Sequence, residues 1–283
     1  MEVGKRKELE ILSANIRIDI LKMIEKAKQG HIGGSLSIVE LLAVLYGKQL
    51  RYDPKNPLDA MRDRVVLSKG HAGPALYSAL ANVGFFDKSM LVTLNEGGTD
   101  LPSHPDRNKT PGVDVTTGSL GQGTSVAAGM AKAMKMDQSD RYVYLIVGDG
   151  ELNEGQCWEA FQFVAHYKLN NCLVFIDDNK MQIDGTTKAV MNPFDLIKKM
   201  EAFGFYSVRV KGDDLVAIDG AIEAAKQRED QPTCVVLDTV KGQGVPYYEE
   251  MGVANHSVKF TEEVVANNQK AIAALEAFIK EVQ

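Results

Sequence analysis

Tyr142-Val143-Tyr144-Leu145-Ile146-Val147-Gly148-Asp149-Gly150 is an apolar run closed by Gly-Asp-Gly, and a second run, Cys172-Leu173-Val174-Phe175-Ile176, leads to Asn179, thirty residues after Asp149. A strand, a crossover helix and a parallel strand need about this spacing, so Asp149 and Asn179 are predicted to meet at the carboxyl edge of one sheet. Open α/β sheets bind their ligands at that edge. Asp149 and the amide oxygen of Asn179 are hard donors suited to magnesium or calcium, ions that usually share their shell with ligand phosphates. Gly150 has no side chain to keep a phosphate oxygen from a backbone N–H at the start of the next helix. The same residues also suit an ordinary Asp-Gly turn with an unrelated asparagine, and that alternative stays open on this stretch alone.

Outward from this corner, strands and helices alternate. Leu9, Leu12, Ile16, Ile20 and Ile24 form a helical stripe over residues 5–28 that ends at Gly30. Ser37 and Glu40 have capping-box spacing, which predicts a second helix from about Ile38 to Gly47, with Gly30-His31-Ile32-Gly33-Gly34 as the loop between. Arg64-Val65-Val66-Leu67-Ser68 reads as a strand broken by Lys69-Gly70-His71, and a helix is expected over 72–83. Residues 95–118 are rich in Gly, Pro, Asp, Asn and Thr, and long ordered loops of that kind are often functional. Thr124 to Met136 reads as a helix whose small residues suit a crowded interior or a subunit contact. Beyond Asn179 a helix is expected near 195–203, a strand at 206–210, a helix at 213–227 and a strand at 233–239. The expectation is an α/β fold with a single doubly wound domain over 1–283, a mainly parallel sheet flanked by helices, and a final helix over about 261–281 capped by Thr261.

A chain of 283 residues that is 45% hydrophobic can bury a large core. With a net charge of -6 and Lys and Arg mixed among acids, no basic stripe is left for a nucleic acid backbone, so neither nucleic acid nor membrane is an expected partner. No apolar run approaches a membrane span, and Met1 to Lys7 shows no signal-peptide core. Cys157, Cys172 and Cys234 are widely spaced and read as buried reduced thiols, which makes the cytoplasm the expected compartment.

Four of the five histidines, His31, His71, His104 and His256, stand in expected loops beside glycine, proline or small polar residues, and His166 reads as an ordinary helix residue. Singly, each loop histidine suits a solvated or capping role. Jointly they suit proton transfer near neutral pH, and no pair has the short spacing of zinc ligands.

Gly30-His31, Lys69-Gly70-His71, Ser103-His104-Pro105-Asp106, Thr117 to Gly123, Gly148 to Gly155, Asp178-Asn179 and Lys241-Gly242-Gln243-Gly244 together resemble the diphosphate-binding, N-terminal half of transketolase over nearly the whole chain. Gly-Asp-Gly followed by Asn is shared by thiamine diphosphate enzymes generally, whereas His104-Pro105 and Gly118-Ser119-Leu120-Gly121-Gln122-Gly123 point to transketolase more narrowly. The resemblance implies a thiamine diphosphate-binding fold. Asp149, Asn179 and the Met181 carbonyl would hold the divalent ion, and the Gly150 N–H would touch the diphosphate. His71, His256 and Lys241 would contact the phosphate end or the thiazolium surroundings, Gly118 and Leu120 the aminopyrimidine, and Gln182 the thiazolium pocket. His31 and His104 match positions that touch donor ketose hydroxyls, and His31, His104 and His256 would form the catalytic set. The implied reaction moves a two-carbon ketol unit from a ketose phosphate to an aldose phosphate.

Three positions depart from the family pattern: Ile32 and Ser119 replace common prolines, and Asn255-His256-Ser257 replaces the usual Trp-His-Gly or close variants around His256. The match ends near residue 260, with no counterpart of the pyrimidine-binding and C-terminal domains or of the glutamate that the family uses on the aminopyrimidine ring. The expectation is therefore a split transketolase, two copies of this chain with two of a separate C-terminal subunit, inactive alone. Glu154 resembles a position facing the partner's glutamate, or is simply an acid favoured at a helix N-terminus. The alternatives are a subunit for a specialised sugar pathway, a deoxyxylulose phosphate synthase-like enzyme, or a non-catalytic cofactor-binding scaffold.

Overall fold

The computed structural model describes residues 1–283. Its frame is a parallel five-stranded sheet built from β1 (Arg64–Leu67), β2 (Val143–Gly148), β3 (Cys172–Asp178), β6 (Tyr206–Lys211) and β7 (Thr233–Asp238), in the order β1-β2-β3-β7-β6. β4 (Met181–Gln182) and β5 (Gly185–Thr186) form a small antiparallel pair just beyond β3. Because side chains alternate across a strand, each central strand supplies both layers of the core. Tyr144, Ile146, Leu173, Phe175, Val235 and Leu237 face one cluster, and Val143, Leu145, Val147, Cys172, Val174, Ile176, Cys234 and Val236 face the other. All three cysteines are free and buried, as the sequence suggests.

The first layer is covered by α1 (Val3–Ala27), α2 (Ile32–Leu36), α3 (Val39–Val44) and α4 (Gly73–Asn82). The second is covered by α5 (Gln122–Met136) and α6 (Gly155–His166), the crossover between β2 and β3. After the short α7 (Thr187–Val190), α8 (Leu196–Ala202) extends the second layer, and α9 (Leu215–Lys226) returns to the first. α10 (Pro246–Met251) and α11 (Glu262–Val282) close the chain, with Thr261 Oγ1 accepting from the Val264 N–H as the expected cap. On α5 the small residues divide: Ala127, Ala128 and Ala131 are buried against the sheet, while Ser125 and Gly129 lie exposed.

The expected second helix forms, but its cap and the loop before it are corrected. Residues 32–36 are already helical rather than a loop, and α3 starts at Val39 behind Ile38, which makes no side-chain cap; the helix then loosens into a π-turn over Leu45–Gln49. The capping box fails because both of its side chains have distant partners. Ser37 Oγ donates to Asp177 Oδ2 at 2.7 Å, and Glu40 accepts from Arg17 Nη2 at 2.6 Å and from Gln243 Nε2 at 3.1 Å. A buried Arg17–Glu40 pair outweighs a local cap, since an unpaired buried charge costs far more than a lost cap. No helix is long and apolar enough to cross a membrane.

Candidate functional site: a histidine-lined cleft

β1, β2, β3 and β7 all end at one edge of the sheet, and the turns that follow them carry Lys69-Gly70-His71, Asp149-Gly150, Asn179 and Lys241. Two glycines set how closely these turns pack. A Cβ on Gly70 would lie 2.8 Å from the Gly118 nitrogen and the Thr117 carbonyl carbon, so only glycine lets the His71 turn rest on the 117–118 backbone. A Cβ on Gly33 would lie 2.0 Å from Asn255 Oδ1 and 2.9 Å from Lys241 Cγ, so α2 can pack against the end of the chain that carries His256.

The result is a cleft of about 380 Å³ lined by every residue the sequence singled out: His31, His71, His104, His256, Lys241, Asp149, Gly150, Asn179, Met181, Gln182, Gly118 and Leu120. His31 sits at its centre, with ring centroids 4.9 Å from His256, 5.5 Å from His71 and 5.8 Å from His104. His71 and His256 are 5.6 Å apart, and Lys241 Nζ lies 3.3 Å from His256 Nδ1. The long 95–118 loop is ordered where it meets the site: the Thr117 N–H donates to the Pro105 carbonyl at 3.1 Å and Thr117 Oγ1 to the Leu67 carbonyl at 2.8 Å, which seats His104 beside Gly118. His166 is exposed at the end of α6, away from the cluster.

The unusual Asn255 before His256 has a structural role. It is fully buried and its Nδ2 donates to the Lys241 and Tyr248 carbonyls at 2.8 and 2.7 Å, which ties the His256 turn to the strand-end segment carrying Lys241. Glu154 lines the cleft at the start of α6 with its side chain exposed and making no capping bond.

Burial holds the histidines neutral. His256 is pushed down to about 4 by burial, the Lys241 charge and His31, and His71 lies well below the ordinary imidazole range through burial and the Lys69 charge. His31 is lowered by burial, His104 and Lys241, and His104 by burial. Burial and the Lys69 charge bring Lys241 down to about 8. The cleft thus holds imidazoles that are unprotonated near neutral pH, beside an amine that gives up its proton more easily than an ordinary lysine.

In the same cleft Asp149 is buried, and both its oxygens are met by backbone N–H groups, Gly150 at 2.8 Å and Lys180 at 2.6 Å. Burial, then the charges of Asp177 and Asp178, raise its carboxyl to about 7. A carboxylate so placed favours an added cation. No three His, Cys, Asp or Glu side chains gather to hold a metal, so an ion here would rely on one carboxylate, the Asn179 amide oxygen, the Met181 carbonyl and phosphate oxygens, a hard set that fits magnesium or calcium. The Gly150 N–H expected to meet the diphosphate is engaged by Asp149 Oδ1, and the space a Cβ would fill at Gly150 is bounded by Gln182 Cβ at 2.9 Å.

Two residues of the site were not singled out from sequence. Lys69, which lines the cleft, and Asp177 behind it form a buried ion pair at 2.6 Å; burial pushes Asp177 up, but the Lys69 charge and the Lys69, Thr239 and Ser37 hydrogen bonds outweigh it and hold the carboxyl below its usual range. Their separation of 108 residues leaves no local signal.

Residues 9–278 match the family described as transketolase, thiamine diphosphate binding domain. The chain is 47% identical over 262 residues to the 6-deoxy-6-sulfo-D-fructose transketolase subunit SqwG of Clostridium sp. (strain MSTE9), covering 92% of this chain and 94% of that protein. It is 39% identical over 255 residues to an apulose-4-phosphate transketolase subunit of Phocaeicola vulgatus, covering 90% of each. Among solved structures, Campylobacter jejuni transketolase superposes with a TM-score of 0.86 at 31% identity over 96% of this chain, which spans 43% of that longer one. A family match over most of the length, relatives of the same extent and a shared fold lead to one conclusion: the chain belongs to the transketolase family, as its thiamine diphosphate binding domain.

Proposed function

We propose that this chain is the N-terminal subunit of a split transketolase, which anchors thiamine diphosphate and a divalent ion and moves a two-carbon ketol unit from a ketose phosphate to an aldose phosphate with a separate C-terminal subunit. The observation that carries the reading is the gathering of His31, His71, His104, His256 and Lys241 in one cleft with Asp149 and Asn179. When bound, thiamine diphosphate supplies a nucleophilic carbon and an electron sink for breaking and forming a bond beside a carbonyl. Asp149, Asn179 and Met181 would hold the ion, and Gly150, His71 and Lys241 the phosphate end. Gly118, Leu120 and Gln182 would line the rings. His31, His104 and His256, kept neutral by burial, would hold donor hydroxyls and move protons to and from them.

Relatives named as subunits, matching over nine-tenths of their own length, support a two-chain enzyme, two copies of each being the simplest arrangement. Their names also favour a sugar outside the common ketose and aldose phosphates as a second reading of the substrate, in place of a synthase-like or scaffold role. The test is to mix the purified chain with its candidate partner, thiamine diphosphate, Mg2+, and either ordinary sugar phosphates or sulfo- and branched-sugar donors. Ketol transfer that requires both chains supports the proposal, and transfer by this chain alone contradicts it. The donor with the higher kcat/KM decides the substrate reading.

A further inference from the structure

Asn179 can act as an oxygen ligand only if its amide is held one way round, because the NH2 end has no lone pair to offer an ion. Nδ2 donates to Asp177 Oδ2 at 2.9 Å, and Oδ1 accepts from the Met181 N–H at 3.1 Å, leaving its second lone pair for the cleft. A flipped amide would set oxygen against the Asp177 carboxylate and NH2 against the Met181 N–H, so both contacts would become repulsive. The Met181 contact is local, whereas Asp177 is held from three separate segments of the chain. It is fully buried, and Lys69 Nζ reaches its Oδ2 at 2.6 Å while also donating to the Gly34 carbonyl at 2.8 Å. Ser37 Oγ donates to the same oxygen at 2.7 Å, and Thr239 Oγ1 donates to Oδ1. Lys69 precedes the His71 turn, Gly34 and Ser37 belong to the segment that begins at His31, and Thr239 follows β7. Asp177 therefore ties the histidine side of the cleft to its metal side.

We propose that Asp177, charge-balanced by Lys69, is a positioning residue that fixes the amide of Asn179 with its oxygen toward the divalent ion, and thereby sets metal affinity without touching metal, cofactor or sugar. This rests on the cofactor site described under Proposed function. Residues that orient metal ligands typically change metal affinity by about 10–100-fold when removed.

The test measures Mg2+ affinity by calorimetry in the presence of thiamine diphosphate and the partner chain, together with the electron paramagnetic resonance spectrum of Mn2+ in the same site. Removing only one member of a buried ion pair can unfold a protein, so the first variant is Lys69→Met with Asp177→Leu, which removes both charges at similar volume. Its expected result is Mg2+ binding weaker by about 10–100-fold, with an altered Mn2+ spectrum. The second exchanges the pair, Asp177→Asn with Asn179→Asp, so that an amide faces Lys69 and a carboxylate, with oxygen at both ends, faces the ion. Recovery of most of the lost affinity is expected, a rescue that a merely structural role for Asp177 does not provide. Wild-type affinity and an unchanged spectrum in the folded first variant would overturn the inference, as would an exchange variant no better than the first. If the wild-type protein itself binds no Mg2+ with thiamine diphosphate, the site reading under Proposed function is what fails.

Discussion

His31 shows how this chain builds chemistry from single residues. It stands at the N-terminal boundary of α2 with its ring within 6 Å of three other imidazoles whose sequence positions are scattered from 71 to 256. The shared burial has a stability consequence with a definite sign. His256 titrates near 4 when folded against about 6.5 when unfolded, so between those values the unfolded chain binds more protons than the folded one. The His256 contribution to stability is full above about 6.5 and is lost as pH drops toward 4. Because Asp149, raised to about 7, acts with the opposite sign over the same window, the readout is the difference between proteins: His256→Gln should lose less thermal stability than wild type between about pH 6.5 and 4, and an identical pH dependence in the two would contradict a neutral buried His256. In the assembled enzyme, His31→Ala and His256→Ala should each lower kcat/KM by about 10²–10⁴-fold if these imidazoles move protons in the reaction. Steady-state rates near wild type would remove them from that role.

Among the elements, the strand-end turns decide the geometry, and Gly70 is where they are least forgiving. Gly70→Ala should destabilise by about 1–3 kcal/mol, measured by the urea midpoint, because its Cβ meets backbone rather than a movable side chain. An unchanged midpoint would mean the 117–118 segment is free to move away. The element scale also shows what was legible in the sequence. β2 and β3 were readable because their apolar runs and the thirty residues between Asp149 and Asn179 match a parallel crossover. The α2–α3 region was not, because Ser37 and Glu40 answer to Asp177, Arg17 and Gln243, partners 140, 23 and 203 residues away. Lys69 and Asp177 escaped for the same reason: a buried charge pair leaves no periodicity and no nearby turn signal. Asn255, in sequence only a departure from the family pattern, needed its hydrogen bonds to Lys241 and Tyr248 before its placement of His256 could be read.

At the scale of the molecule, one cleft joins two unlike groups, neutral imidazoles with Lys241 and the buried Asp149 corner. Such a site should depend on the divalent ion to bring a diphosphate and Asp149 together, since both are anionic. The most direct test of that account is a calorimetric titration of thiamine diphosphate into the chain with its partner, with and without Mg2+, for the wild type and for Asp149→Ala. The account predicts saturable binding that needs Mg2+, is reversed by a chelator and is lost in Asp149→Ala. Binding indifferent both to Mg2+ and to Asp149, or no binding with every component present, would contradict it.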